Sequence, residues 1–401
     1  MINDKLDIDI LFVLIDKGLL IENSTVFQSQ VGDQLIALKS MGFKVGLITI
    51  YKNKKVFDNV IGNKLSNNNI YLNLLKDRNI FLLSLLLLGF KIRKLKKIFN
   101  INFFYCRGIW GSIALKLAFP LGKYKYTYDV RGDLEAEINS IKINKLKKNI
   151  FLQLEKFSIQ NASNVTAVSS HLANFIKKKY NIKVVNIIPC CIRFNNYSAN
   201  INLINKIKKK LRYNKDDIIF VYSGGLSHYQ QVKQMLELWK LFLNDNKIKF
   251  LLLTNQDPHS HPITIDNVKN FGKKLIHLNV PHKKVHEYLF CSNIGFLLRE
   301  NIALNNSASP VKFSEYLASG LSIISSPGIG DISDCILKNN LGVLIDTNNI
   351  KSAEKLIKYL INEIKNDRKV NLLKKNSIDI AKKLYNWNSY KNIYNKMYKS
   401  N

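Results

Sequence analysis

Residues 295–330 read GFLLRENIALNNSASPVKFSEYLASGLSIISSPGIG, and the order of chemistry along this stretch decides the fold. An apolar strand, Ile294–Leu298, ends in the charged pair Arg299–Glu300. A polar loop follows, and Pro310 then stands where a helix favours proline, at its first position, because the N–H it lacks has no partner there anyway. Ser307 and Ser309 precede it where a cap belongs. Lys312 falls in the first turn, where a cation opposes the helix dipole. A purely structural role explains it poorly, whereas phosphate binding at a helix N-terminus explains it well. Glu315 follows one turn in, where a carboxylate can accept hydrogen bonds from sugar or ribose hydroxyls. Gly320 stops the helix before a second apolar strand, Leu321–Ser325. Near-continuous apolar strands joined through a helix belong to a parallel sheet covered on both faces.

The same rhythm runs outward in both directions. Toward the C-terminus it adds the strand Gly342–Ile345. Toward the N-terminus it adds Ile218–Ser223 and Lys249–Thr254, with helices Gln230–Leu243 and His282–Cys291. The first half has strand candidates Asp9–Ile15, Lys44–Ile50, Phe103–Arg107, Lys125–Val130, Asn164–Ser169 and Val184–Ile188. Its helices are Val26–Met41, Leu146–Asn161 and Ser170–Tyr180. A chain of 401 residues suits two domains. The expectation is therefore an α/β protein of two doubly wound, Rossmann-like parallel-sheet domains, 1–190 and 213–385. Polar, lysine-rich Cys190–Arg212 serves as the linker. The aromatic row Tyr385, Trp387, Tyr390, Tyr394 and Tyr398 gives the last helix, 387–399, an apolar face predicted to pack back on the first domain. Ligands of such sheets bind beyond the carboxyl ends of the strands, so two such domains are expected to face an interdomain cleft.

Further candidates sit at those strand ends. Gly224 and Gly225 follow the strand IIFVY directly, where backbone N–H groups can approach a phosphate closely. In the first half, Tyr128–Asp129–Val130–Arg131–Gly132 ends a strand, with Glu137 beyond it. Arg107–Gly108 is a weaker candidate of the same kind, and so is the loop Glu22–Gln30. His259 and His261 lack a third ligand. The one D-x-D run, Asp7–Asp9, lies at the wrong end of its strand, so no metal is expected. No Ser-His-Asp order, zinc-finger, RNP-type or basic-zipper pattern is present, which argues against a serine hydrolase and against nucleic-acid binding.

Pro310, Lys312, Glu315, Tyr316, Leu317, Ala318 and Gly320, in the pattern P-x-K-x-x-E-Y-L-A-x-G, resemble the donor-site helix of family 4 retaining glycosyltransferases of the GT-B fold. The run Gly328–Gly330–Asp331 is similar to the loop after that family's next strand, and the D-x-R-G…Glu pattern at Asp129–Glu137 to members that build capsule and lipopolysaccharide. The resemblance implies a nucleotide diphosphate sugar as donor, with no permanently bound cofactor. Gly224, Gly225, Arg299, Ser309 and Lys312 would hold the diphosphate, and Glu315 the ribose. Arg131, Glu137 and Glu300 would stand near the reacting sugar or the acceptor, itself a glycan or lipid-linked glycan. Two departures stand out. The family's first glutamate, eight positions before Glu315, is Ser307 here. The basic residues usual after the glycine turn are replaced by Ser227, His228 and Tyr229.

Lysine and arginine outnumber aspartate and glutamate 61 to 29, a formal charge of +32. With 53 lysines and only eight arginines, two readings stand: the bias of an AT-rich genome, or attraction to an anionic surface. Ile80–Phe90, IFLLSLLLLGF, followed by Lys91, Arg93, Lys94, Lys96 and Lys97, also has two readings: a helix lying in a membrane interface, or a buried helix with a basic exit. Eleven residues are too few to span a bilayer, which takes about 20 in a helix. The opening residues lack the basic-then-apolar order of a secretory signal, and five cysteines do not make a disulfide framework. The expected location is cytoplasmic, peripheral to the inner face of the membrane. A rival reading, a non-catalytic lipid- or polyanion-binding protein on a decayed transferase fold, is opposed by intact Lys312 and Glu315.

Overall fold

Every strand pairing among the described residues is parallel, in two separate sheets. The computed structural model describes residues 5–15, 27–77, 80–141, 143–264, 266, 268 and 271–399. The chain divides into Met1–Ile192 with Trp387–Asn401, and Arg193–Asn386.

The first unit holds β1 (Leu6–Leu14), β2 (Val45–Tyr51), β3 (Tyr71–Lys76), β4 (Phe99–Arg107), β5 (Tyr126–Val130), β6 (Asn164–Ala167) and β7 (Asn186–Ile187). Their spatial order is β3-β2-β1-β4-β5-β6-β7. Side chains alternate across a strand, so the apolar run of β1 feeds two cores. Leu11 and Val13 pack with Leu88, Ile92 and Ala114 on one face. Ile10, Phe12 and Leu14 pack with Leu35, Leu38 and the C-terminal segment on the other. That segment returns as helix Lys391–Tyr398. Gln34 Nε2 donates to the hydroxyls of Tyr105 and Tyr394, each at 3.1 Å, and the Tyr398 and Thr127 hydroxyls lie 2.9 Å apart.

The second unit holds β8 (Ile218–Ser223), β9 (Ile248–Leu253), β10 (Leu275–Leu278), β11 (Ile294–Leu297), β12 (Ser322–Ser325) and β13 (Gly342–Leu344), in the order β10-β9-β8-β11-β12-β13. Its core gathers Phe220, Phe250, Phe296 and Trp239 with helix residues Ile357 and Leu360.

Sequence reading missed two strands, β3 and β10, and both are sheet edges. An edge strand needs no two-sided apolar run, and Tyr71–Lys76 is only half-buried. The 190–212 segment is not all connector. Asn200 caps a helix, Ile201–Lys210, that packs on helix His282–Leu289. Helix Val311–Ala318 starts one residue later than its sequence suggests. Pro310 is its N-cap, and no side chain caps it. Ser307 instead turns its hydroxyl back to the carbonyls of Ala303 and Leu304.

Helix Phe81–Ile98 divides the two readings of its segment between its faces. Leu85, Leu88, Ile92 and Leu95 are buried, while Leu82, Leu83, Leu86 and Phe90 are exposed. Gly89 permits the close packing of this helix on Ile109–Ala118. A Cβ there would stand 3.2 Å from the Leu117 Cβ and 3.3 Å from the Ala114 carbonyl oxygen.

Truncating Trp387, fully buried in the first unit, tests the anchoring of the tail. Trp387→Ala lowers the stability of that unit by about 3–5 kcal/mol in denaturant unfolding. A loss too small to resolve would mean that the tail does not complete that core.

Candidate functional site

Strand order in the second sheet reverses between β8 and β11, and a crevice opens at such a switch point, outside the carboxyl ends. Three segments meet there. Gly224, at φ +146, begins the turn after β8. Helix Val311–Ala318 aims its uncapped N-terminus toward the same place, and its Lys312 reaches back over the turn. A Cβ on Gly224 would lie 2.8 Å from the Lys312 Nζ, so the glycine makes room for the ammonium as well as for the backbone angle. Lys312 Nζ donates to Gln230 Oε1 at 2.9 Å and to the Tyr222 hydroxyl at 3.1 Å, and it lies 4.2 Å from the centre of the Tyr222 ring. The Tyr316 hydroxyl, from the same helix, accepts from the Ser223 N–H at 2.9 Å and ties helix to turn.

Arg299 follows β11. Ser326 holds its backbone from both sides, accepting from Arg299 N at 2.8 Å and donating to Arg299 O at 2.7 Å. Its guanidinium donates to Asn305 Oδ1 at 3.0 Å and lies over the Tyr229 ring. Glu300 pairs with His228, Oε1 to Nδ1 2.8 Å. Glu315 Oε1 lies 3.1 Å from His282 Nε2 at the start of the helix His282–Leu289. Burial, then the neighbouring Arg299 charge, pushes the Lys312 ammonium well below its usual range, while Glu315 opposes the shift. An anion placed here would meet two basic side chains and the N–H groups of a helix start.

The structure thus gathers Gly224, Gly225, Arg299, Glu300, Ser309, Lys312 and Glu315 into one unit, with Ser309 half-buried just before the helix. Sequence reasoning overlooked Tyr222, Gln230, Asn305 and His282. Each is a neutral or weakly basic partner of a charged group, and no spacing rule announces such partners.

In the first unit Arg131 turns inward. Its Nη2 donates to Gln30 Oε1 at 2.9 Å and to Cys190 Sγ at 3.1 Å, and its Nη1 is 3.6 Å from Asp129. Glu137 stays at the exposed rim, its carboxylate occupying the space where a Cβ on Gly132 would go. Of the loop 22–30, residues 22–26 lie outside the described residues. Among the described residues no group of three His, Cys, Asp or Glu side chains could hold a metal ion. A groove of about 1600 Å³ between Lys208, Asp217, Asn293 and Lys374 opens at the amino ends of β8 and β11, the opposite end from this site.

Residues 204–377 match the family model described as glycosyl transferases group 1. Solved structures of glycosyltransferases are similar to this chain over nearly its whole length. One is a glycosyltransferase from Rickettsia africae, at TM-score 0.73 and 15% identity over 99% of this chain and 100% of that one. The chain has the GT-B fold, and its residues 204–377 carry the group 1 glycosyl transferase match. HepE of Anabaena, in complex with UDP and glucose, aligns at TM-score 0.71 and 12% identity over 98% of this chain and 100% of its own. WaaG, a glycosyltransferase involved in lipopolysaccharide biosynthesis, aligns at 0.68 and 10% over 98% and 100%. No curated protein matches the chain in sequence.

Lys312→Ala and Glu315→Ala are each predicted to weaken nucleoside diphosphate binding by about 1.5–3 kcal/mol, measured by calorimetry. Unchanged affinity in both would remove the site from this helix. Stability responds in the opposite sense. Below its lowered folded value Lys312 is charged whether the chain is folded or not, and its burial is opposed in full. Between that value and 10.5 the unfolded chain binds more protons, so stability rises with pH. Lys312→Met flattens that rise and leaves the folded protein no less stable at neutral pH. A pH–stability curve identical to the wild type would contradict the lowered value.

Proposed function

We propose that this enzyme moves a hexose or amino-hexose derivative from a nucleotide diphosphate sugar onto a glycan or lipid-linked glycan of a bacterial surface polysaccharide, capsule or lipopolysaccharide, with retention at the anomeric carbon. The observation that carries the reading is Lys312, buried over the Gly224 turn with Glu315 one helical turn away. Charge develops on the departing diphosphate in the transition state, and fixed donors in a dry site stabilise that charge without reorganising. Lys312, Arg299 and the first N–H groups of helix Val311–Ala318 are those donors. Glu315, oriented by His282, accepts the ribose hydroxyls. Gly224 and Gly225 let the phosphates approach the backbone. Glu300, tied to His228, is the carboxylate at the sugar end, since Ser307 spends its hydroxyl on helix carbonyls. Arg131 and Glu137 serve the acceptor from the first unit.

The assignment to family 4 is supported by the helix pattern, and a nucleotide sugar donor by HepE, whose structures hold UDP and UDP-glucose. Screening nucleotide sugars for diphosphate release, then reading the anomeric configuration of the product by NMR, tests both points. Release from at least one nucleotide sugar, lost in Lys312→Ala, is expected. No release from any would contradict the reading, and an inverted product would contradict retention.

The acceptor's lipid calls for a membrane surface, and helix Phe81–Ile98 offers one. Its exposed stripe is apolar at Leu82, Leu83, Leu86 and Phe90 and continues as Arg93, Lys94 and Lys97. Leu117 on the adjoining helix, exposed and beside Gly89, extends it. No helix among the described residues is long and apolar enough to cross a membrane. Each basic residue near an anionic surface contributes about 1 kcal/mol, screened beyond roughly 8 Å at physiological salt, while inserted apolar area resists salt. Wild type co-sediments with liposomes containing anionic lipid. Changing Leu82, Leu83, Leu86 and Phe90 to serine, which leaves the buried leucines in place, releases it. Sedimentation equal in wild type and variant would show that the helix face is not the contact.

A further inference from the structure

The first sheet reverses its strand order between β1 and β4, so its switch point lies beside the carboxyl end of β4, with β5 as the next strand. Arg107 is the last residue of β4, and Arg131 directly follows β5. Gln30 brings the two guanidiniums together, its carbonyl accepting from Arg107 and its side-chain oxygen from Arg131, and the one carboxylate in contact with the pair among the described residues is Asp129, 3.6 Å from Arg131 Nη1. Thr166 occupies that carboxylate's other oxygen, Oδ1, at 2.8 Å. Arg107 donates to the Gln30 carbonyl at 3.0 Å and pairs with no carboxylate among the described residues. Burial and the Arg131 charge push Arg107 down to about 10, which still leaves it charged at neutral pH. Two cations against one anion leave a net positive charge in a half-buried place. Buried charges are normally paired, and an arginine fork matches the planar or tetrahedral face of an oxyanion. Both residues keep some exposure at the strand ends, so a ligand can reach them.

We propose that Arg107 and Arg131 form an oxyanion site that takes a phosphate or carboxylate group of the acceptor. The proposal rests on the reading that the first unit binds the acceptor, and it adds that the acceptor is acidic: a phosphorylated sugar, or a sugar acid. Gln30 is the scaffold. Its carbonyl holds one guanidinium and its side-chain oxygen the other. It lies in a one-turn π-helix, Gln28–Gly32, an irregularity that often marks a functional position.

The test uses the full chain carrying Lys312→Ala, which weakens the second unit's diphosphate site. It is titrated calorimetrically with inorganic phosphate and, separately, with acetate. At least one of the two binds, and adding Arg107→Gln weakens that binding about tenfold or more. Arg107→Lys, which keeps the charge and loses the fork, falls between and guards against a folding artefact. Tighter phosphate points to a phosphorylated acceptor, and tighter acetate to a sugar acid; both support the site. Failure of both ions to bind, or binding indifferent to Arg107, overturns it. Nucleoside diphosphate binding by chains with Lys312 intact is a separate readout, so a failed donor site and a failed oxyanion site are told apart.

Discussion

A lysine ammonium held over a glycine turn, at the start of a helix whose dipole repels it, is the constraint around which the second unit is arranged. Nothing in the apolar core requires Lys312 to be there. Its place costs desolvation, pushes its proton affinity down, and fixes the identity of Gly224, where a methyl group would meet the ammonium. Gln230, the Tyr222 hydroxyl and the Tyr222 ring compensate in part, as neutral dipoles and a π face rather than as a counter-charge. A carboxylate directly on the ammonium would stabilise the empty site and compete with a diphosphate. The nearest one, Glu315, is engaged by His282 instead. Folding here tolerates a buried ammonium whose partners are neutral, and the proposed diphosphate would answer its charge.

The first unit repeats the device with different residues. Arg107 and Arg131 stand at the ends of adjacent strands, and Asp129 is the one carboxylate in contact with the pair among the described residues. Around them the structure is over-determined: Gln30 and Gln34 come from one helical segment, Tyr105, Thr127 and Asp129 from the sheet, and Tyr394 and Tyr398 from the C-terminal helix. These bonds from three separate segments hold two like charges in place.

Much of this was legible in the chain. Strands buried on both faces, such as β1, β8 and β11, betray themselves as continuous apolar runs, and Lys312 betrays itself by standing where a helix disfavours it. The edges β3 and β10 were hidden because half-buried strands need no such run. The helix at Ile201–Lys210 was hidden because its single buried position, Ile207, sits in a lysine-rich stretch that reads as solvent-exposed connector. The partners of the charged groups were hidden for a different reason. Gln230, His282 and Gln30 acquire meaning only when the sheet brings distant segments together. The serines at 307 and 309 misled because their type suits a cap, while the backbone placed Pro310 at that position. The leucine run misled by half: composition gave the exposed and the buried leucines of Phe81–Ile98 the same weight, and only the helix phase separated them.

The central claim is that a diphosphate supplies the charge Lys312 lacks. An anion beside a lysine raises its proton affinity, so binding takes up a proton wherever the free site is partly neutral. Calorimetric titration of nucleoside diphosphate at a series of pH values below 10.5, in buffers of different ionisation enthalpy, measures that uptake directly. The account predicts net proton uptake in the wild type that is abolished in Lys312→Met. Binding with no proton change, or with an uptake that survives the substitution, would contradict it.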